Sequence, residues 1–210
     1  MAFPTLFDVR RTWRCGALAA LLALGGCATL QPSVPVPAGA SAAAYRQSID
    51  LKGRLSLRYE RNGKEEAMHG NFEWSQTPSH IALTLSSPLG QTLATIDIAP
   101  GMATLKQANQ TPRTAPDADA LIADALGWPL PVAGLRDWMQ GVAVDAGGKR
   151  IVASPQADET VRTNDGWLLH FVSWEGDGAA ARPKRIDLER TTAQAGQVSV
   201  RIVIDESQTH

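Results

Sequence analysis

From residue 49 the chain alternates between apolar and polar side chains with a period of two. Ile49, Leu51, Gly53, Leu55, Leu57 and Tyr59 fall on one face, and Asp50, Lys52, Arg54, Ser56, Arg58 and Glu60 on the other. Alternation sustained this long predicts a half-buried antiparallel strand, long enough to curve. Asn62-Gly63 follows, and both residues tolerate the positive φ of a tight hairpin turn. A return strand is expected over about 65–76, with Met68, Gly70, Phe72 and Trp74 on its apolar face. Thr77-Pro78-Ser79 turns the chain into a third strand over 80–86, where Ile81, Leu83 and Leu85 alternate with Ala82, Thr84 and Ser86. Ser87-Pro88-Leu89-Gly90 breaks that strand; a fourth resumes over 91–99 and a fifth, past Pro100-Gly101, over 102–107.

The period then changes. Pro116-Asp117-Ala118-Asp119 reads as a helix start, with carboxylates near the positive end of the helix dipole. Leu121, Ile122 and Leu126 carry its apolar face, and Gly127 ends it. Trp128-Pro129-Leu130-Pro131 is a bend, and 132–140 a second short helix with Leu135, Trp138 and Met139 turned inward. After a loop, strands return over about 159–163, 167–174, 184–191 and 197–205. The pattern predicts a mainly β protein with short helices: a meandering antiparallel sheet with the helices inserted between its halves. So long a sheet must curl, and the helices are the natural cover for its open side.

The first residues follow a different logic. Arg10, Arg11 and Arg14 precede an apolar run of about ten residues from Cys15, too short to span the ~30 Å hydrocarbon core as a helix and typical of a signal peptide. The run ends in Leu24-Gly25-Gly26-Cys27, which resembles the lipobox of bacterial lipoprotein precursors, whose cysteine thiol takes a diacylglycerol. Residues 1–26 are therefore expected to be removed, leaving Cys27 as the lipidated first residue. Residues 28–44 are rich in Ala, Pro, Ser, Gly and Val and bury too little to fold. They read as a tether reaching about 50 Å at ~3.1 Å per residue. Residues 45–210 then form a single domain.

Composition narrows the function more than it defines it. The mature chain keeps 17 Lys+Arg against 20 Asp+Glu, a mild negative balance that argues against nucleic acid as partner. Cys27 is its one cysteine, so it has no internal disulfide, thiolate metal cluster or free thiol nucleophile. The sequence lacks a Gly-x-Ser-x-Gly elbow, a His-Glu-x-x-His pair and a phosphate-cradling glycine loop. His69, His80 and His170 fall on separate expected strands. No catalytic residue, metal site or cofactor is expected, and the chain does not read as an enzyme. What stands out is the apolar inventory, with five mature tryptophans (Trp74, Trp128, Trp138, Trp167, Trp174) among Leu, Ile and Val. Such residues at strand spacing form a plain core or, in a curled sheet under a helical cover, the lining of a cavity for an apolar ligand. Alternation favours the plain core and leaves both open.

Three stretches change that balance: Ser86-Ser87-Pro88-Leu89-Gly90-Gln91-Thr92-Leu93, Gly127-Trp128-Pro129-Leu130-Pro131 and Gly134-Leu135-Arg136-Asp137-Trp138. With Gly53-Arg54-Leu55-Ser56, Gly70-Asn71-Phe72-Glu73-Trp74 and Pro100-Gly101, they resemble the LolB family of outer-membrane lipoprotein receptors, from about residue 45 to the C-terminus. The resemblance implies a half-open antiparallel β-barrel with a helical lid over an apolar cavity. It also implies a function: accepting the acyl chains of mature lipoproteins from the periplasmic carrier LolA and inserting them into the outer membrane, as a monomer anchored there and facing the periplasm. Ala28 agrees, since an aspartate after the lipidated cysteine retains lipoproteins in the inner membrane of many such bacteria. In the family, the loop matching Pro88-Leu89-Gly90 projects an apolar side chain linked to membrane delivery, here Leu89.

The acyl-cavity wall is accordingly expected from Leu55, Leu57, Phe72, Trp74, Leu83 and Leu85, and the lid from Leu121, Leu135 and Trp138. The competing expectation is a scaffolding envelope lipoprotein with no lipid cavity, which would account for Cys27, the tether and the strands equally well.

Overall fold

In a computed structural model, which describes residues 43–126, 131–157 and 160–209, the alternating segments become strands. The signal peptide, Cys27, the tether up to residue 42, Gly127 and the bend over 128–130 lie outside the described residues. The first half of the body runs β1 (Ile49–Arg61), β2 (Lys64–Gln76), β3 (Ile81–Ser86), β4 (Thr92–Ala99), β5 (Met102–Gln107) and β6 (Arg113–Ala115). Two helices follow, α1 (Ala118–Leu126) and α2 (Val132–Trp138), then β7 (Val142–Val144) and β8 (Arg150–Val152). The chain closes with β9 (Thr160–Arg162), β10 (Leu168–Glu175), a single 3-10 turn over Gly178–Ala180, β11 (Arg182–Thr192) and β12 (Gly196–Thr209).

The main sheet is antiparallel, with strand order β6-β5-β4-β3-β2-β1-β12-β11-β10-β9. It differs from one continuous meander: two meanders leave in opposite directions from a central pair, the first and last long strands. Leu55 sits opposite Ile202 and Leu57 opposite Val200 across that seam. The register shifts between Lys52 and Gly53, where the backbones pass so closely that a Cβ on Gly53 would lie 2.0 Å from the Val203 carbonyl oxygen. Only glycine fits there.

The turn Asn62-Gly63 takes positive φ at both residues, 54° and 72°, and pairs β1 with β2 along their whole length. Residues 141–157, expected as a loop, instead carry the small hairpin β7–β8, a separate two-stranded sheet. One core cluster runs from Ile49 to Ile204 and takes in the inner faces of both meanders and of the helices. Pro37–His210 forms a compact unit by itself, so the folded body contains its own core.

Candidate functional site

On the concave side of the sheet the inward faces do not meet a complete filling. The register lines up Phe72 with Leu85 and Leu85 with Ala94 across β2, β3 and β4, and Trp74 with Leu83 and Ile96 one step further along. These rows, with Leu55 and Leu57 from β1, form the wall of a cavity of about 210 Å³. All six residues expected from sequence for the wall line it. Others complete it: Met68 on β2, Leu93 and Leu105 toward β5, and Val200 and Ile202 on β12. The last pair could not be read from alternation, because alternation does not say which strands become neighbours.

The helices roof this space with Ile122 and Ala125 from α1, Val132 and Leu135 from α2, and Met139 just beyond it. Of the three lid residues expected from sequence, Leu135 alone reaches the cavity. Leu121 (1% exposed) and Trp138 (6%) are packed into the core beside it. The Trp138 ring lies so close over Gly134 that a Cβ there would come within 2.6 Å of it. A seven-residue helix has two turns, and its sequence period does not separate the side facing a cavity from the side facing a core.

Polar groups fix the roof from outside. Asp117 Oδ1 accepts the Ala120 N–H at 2.7 Å and caps α1. Asp119, in the first turn of α1, reaches across to accept the Ala133 N–H at the start of α2, 3.0 Å away. Burial pushes the Asp119 carboxyl above its usual pKa range, and the α2 backbone donors partly offset this. At the Gln76 end of the wall, Trp74 Nε1 donates to the fully buried Gln76 (3.2 Å), whose amide donates to Tyr45 Oη (3.4 Å). Arg136 of α2 donates to the same Tyr45 oxygen and to the Thr77 carbonyl, each at 3.3 Å. A polar chain thus runs from the cavity wall to α2. At the other end, Arg113 of β6 donates to Asp124 of α1 at 3.3 Å.

The loop between β3 and β4 rises at that second end, flanked by the cavity-lining Leu85 and Leu93. The Gly90 N–H donates to the Ser87 carbonyl at 2.9 Å and the Ser87 N–H to the Gln91 carbonyl at 2.8 Å, closing a three-residue turn. Pro88 presets the first φ of the turn, and Gly90 supplies the positive φ of 84° that ends it. Leu89 is left at the tip, 97% exposed. An isolated exposed leucine is ordinary on a protein surface. This one stands on a rigid turn at the rim of an apolar cavity.

The convex face is polar. Arg54 grips Asp205 through two hydrogen bonds of 2.9 Å, which hold the Asp205 carboxyl below its usual range. Burial draws Asp187 upward, but hydrogen bonds from Arg185 and Arg201 outweigh it and leave its pKa lowered. His69, His80 and His170 are all exposed, on different parts of the sheet.

A curled antiparallel sheet with an apolar interior, roofed by helices and carrying an exposed leucine on the loop at one end, has the form of a container for apolar chains. The family model for Outer membrane lipoprotein LolB matches residues 47–206. The chain is 43% identical over 188 residues to the outer-membrane lipoprotein LolB of Cupriavidus necator, covering 90% of this chain and 92% of that one. It is 38% identical over 199 residues to that of Ralstonia nicotianae (91% and 93% covered), and 34% identical over 188 residues to that of Bordetella pertussis (89% and 88%). The chain belongs to the LolB family. Among solved structures it is similar to a LolA superfamily protein from Nitrosomonas europaea, with a TM-score of 0.42 and 8% identity, covering 80% of this chain and 88% of that one.

Proposed function

We propose that this LolB-family protein is the outer-membrane-anchored receptor that accepts the acyl chains of mature lipoproteins from a periplasmic carrier of the LolA type and inserts them into the outer membrane. The observation that carries this reading is the apolar cavity whose lining includes Leu85 and the partly exposed Leu93, the residues that flank the loop bearing Leu89. In this reading Cys27 bears the receptor's own lipid, residues 28–44 are its tether, and clients' chains occupy the space under α1 and α2.

The physics requires such a container. Each methylene of an acyl chain is worth about 0.8 kcal/mol when shielded from water, so a multiply acylated protein cannot cross the periplasm with its chains free. Transfer has to run from cavity to cavity and then from cavity to bilayer. It makes and breaks no bond, so differential affinity sets its direction, with the bilayer as the final sink. At about 210 Å³ the cavity is smaller than the ~300–1,000 Å³ of sites that enclose a whole small ligand. Chains therefore enter with α1 and α2 displaced outward. The hydrogen bonds that hold the roof are worth about 0.5–1.5 kcal/mol each, small beside the burial of one chain.

The test is depletion in cells, followed by locating the other lipoproteins. A receptor leaves them in the periplasm bound to carrier. If their sorting is intact, the protein is a scaffold and the cavity has another use.

A further inference from the structure

The strand β5 breaks its own pattern at its last residue. Ala103 and Leu105 point inward and are buried, and the next inward position is Gln107. Gln107 sits opposite Ala94, which sits opposite Leu85, which sits opposite Phe72, a row in which every member lines the cavity. Among the described residues Gln107 is the one polar side chain in that lining. It lies at the mouth, because β5 ends there beside the β3–β4 loop.

Its amide has a defined orientation. Gln107 Oε1 accepts from Arg113 Nη2 at 3.3 Å, and Arg113 is itself held by Gln110 Oε1 (3.1 Å) and Asp124 (3.3 Å). A guanidinium has only donors, so the amide oxygen must face it and the NH2 group must turn away. Among the described residues nothing accepts from that NH2 group. An unspent donor at the mouth of an apolar space is satisfied by water while the space is open, and needs an acceptor once chains displace that water.

We infer that Gln107, positioned by Arg113, is a recognition site for the ester and amide carbonyls that join acyl chains to a lipidated cysteine. This rests on the acyl-binding reading of the cavity and adds to it. Carbonyls accept and do not donate, and they sit at the boundary between chain and peptide, where Gln107 stands at the boundary between cavity and rim. The site sets how deep a chain is drawn in and distinguishes an acyl chain from a plain hydrocarbon.

The experiment compares two synthetic lipopeptides on a soluble form spanning residues 28–210. One carries ester- and amide-linked palmitoyl chains on its cysteine; the other carries ether- and amine-linked alkyl chains of the same length. An apolar fluorophore reports on the cavity itself. The wild-type protein is expected to prefer the carbonyl-bearing probe by about three- to tenfold, the worth of one net hydrogen bond. Gln107→Glu, which keeps the shape and the Arg113 contact but replaces the donor, should abolish the preference, read as the ratio of the two lipopeptides' affinities so that any general change in cavity binding cancels. Gln107→Leu should do the same while binding the alkyl probe at least as well. If the wild type shows no preference, or Gln107→Glu keeps it, Gln107 is not a recognition site, and intact fluorophore and lipopeptide binding would leave the receptor reading standing. If neither binds saturably, the acyl cavity is refuted and this inference with it.

Discussion

Replacing Leu89 by glutamate separates the two halves of the proposed transfer. The side chain is 97% exposed on a turn closed by backbone hydrogen bonds, so the substitution removes no folded contact and should change stability by less than about 0.5 kcal/mol. Its effect belongs to the membrane step. Burying a leucine in hydrocarbon is worth about 1.5–3 kcal/mol, so losing it weakens engagement of the bilayer roughly ten- to a hundredfold. The carboxylate adds a desolvation cost on top. A two-stage assay measures each half. Purified receptor is mixed with a carrier–lipoprotein complex and capture is scored by co-isolation; liposomes are then added and delivery is scored by flotation. Capture should match wild type, while delivery slows by at least tenfold and client accumulates on the receptor. Wild-type delivery by Leu89→Glu would refute the assignment of this loop to the membrane. Loss of capture as well would place the loop in carrier docking instead.

Three further outcomes follow from the geometry. Gly53→Ala forces a Cβ to 2.0 Å from the Val203 carbonyl and 2.8 Å from the Phe72 ring, so the central strand pair must shift; a loss of about 3 kcal/mol or outright misfolding is expected in urea denaturation. Because the Asp187 pKa is lowered in the folded state, its ion pairs stabilise the fold above the ordinary carboxylate pKa of ~3.9 and cease to do so as pH falls through and below it. Asp187→Asn should therefore cost about 1 kcal/mol near neutrality, after solvent screening of the partly exposed pairs, and progressively less as pH falls below ~3.9, read from melting curves across that range. Trp138→Ala should destabilise the fold by about 3–5 kcal/mol, whereas Leu135→Ala should cost clearly less and instead change apolar-fluorophore affinity, since Leu135 alone of the two faces the cavity. Equal effects on both readouts would remove the distinction between core and roof.

Much of this fold is local and was legible for that reason. The alternation from Ile49 to Gln107 is carried by side chains two apart, and the turns by Asn62-Gly63, Pro88 and Gly101, so β1 to β5 could be placed nearly to the residue. The inward face followed from the same alternation, and it brought Leu55, Leu57, Phe72, Trp74, Leu83 and Leu85 to the cavity. What was not legible depends on longer range or shorter length. The pairing of β1 with β12, which brings Val200 and Ile202 into the wall, joins strands at opposite ends of the body. The three-residue strands β6, β7 and β8 show too few alternations to register as a period. Gln107 was readable as polar, and alternation with Ala103 and Leu105 puts it on the inward face, but its place in the lining row depends on its register with Ala94.

The distribution of polar ties around the roof gives the cavity a direction. At the Gln76 end, α2 is held by Arg136 to Tyr45 and Thr77, and the same Tyr45 is joined through buried Gln76 to the wall tryptophan. Gln140, just beyond α2, adds two hydrogen bonds to the Arg46 backbone, so this end is held by several hydrogen bonds that must break together. At the Leu89 end, α1 is held by the Arg113–Asp124 pair, in which the Asp124 side chain is 71% exposed and both partners rehydrate when separated. Exposed pairs of this kind are worth about 0.2–1 kcal/mol. The roof is thus firm where the cavity is closed by core and weak where it meets the rim. On the proposed reading, outward movement of the helices would open the rim first, beside Gln107 and the exposed Leu89. On that reading, chains that enter by that mouth also leave by it, and the step that decides their fate is which apolar phase the mouth is facing.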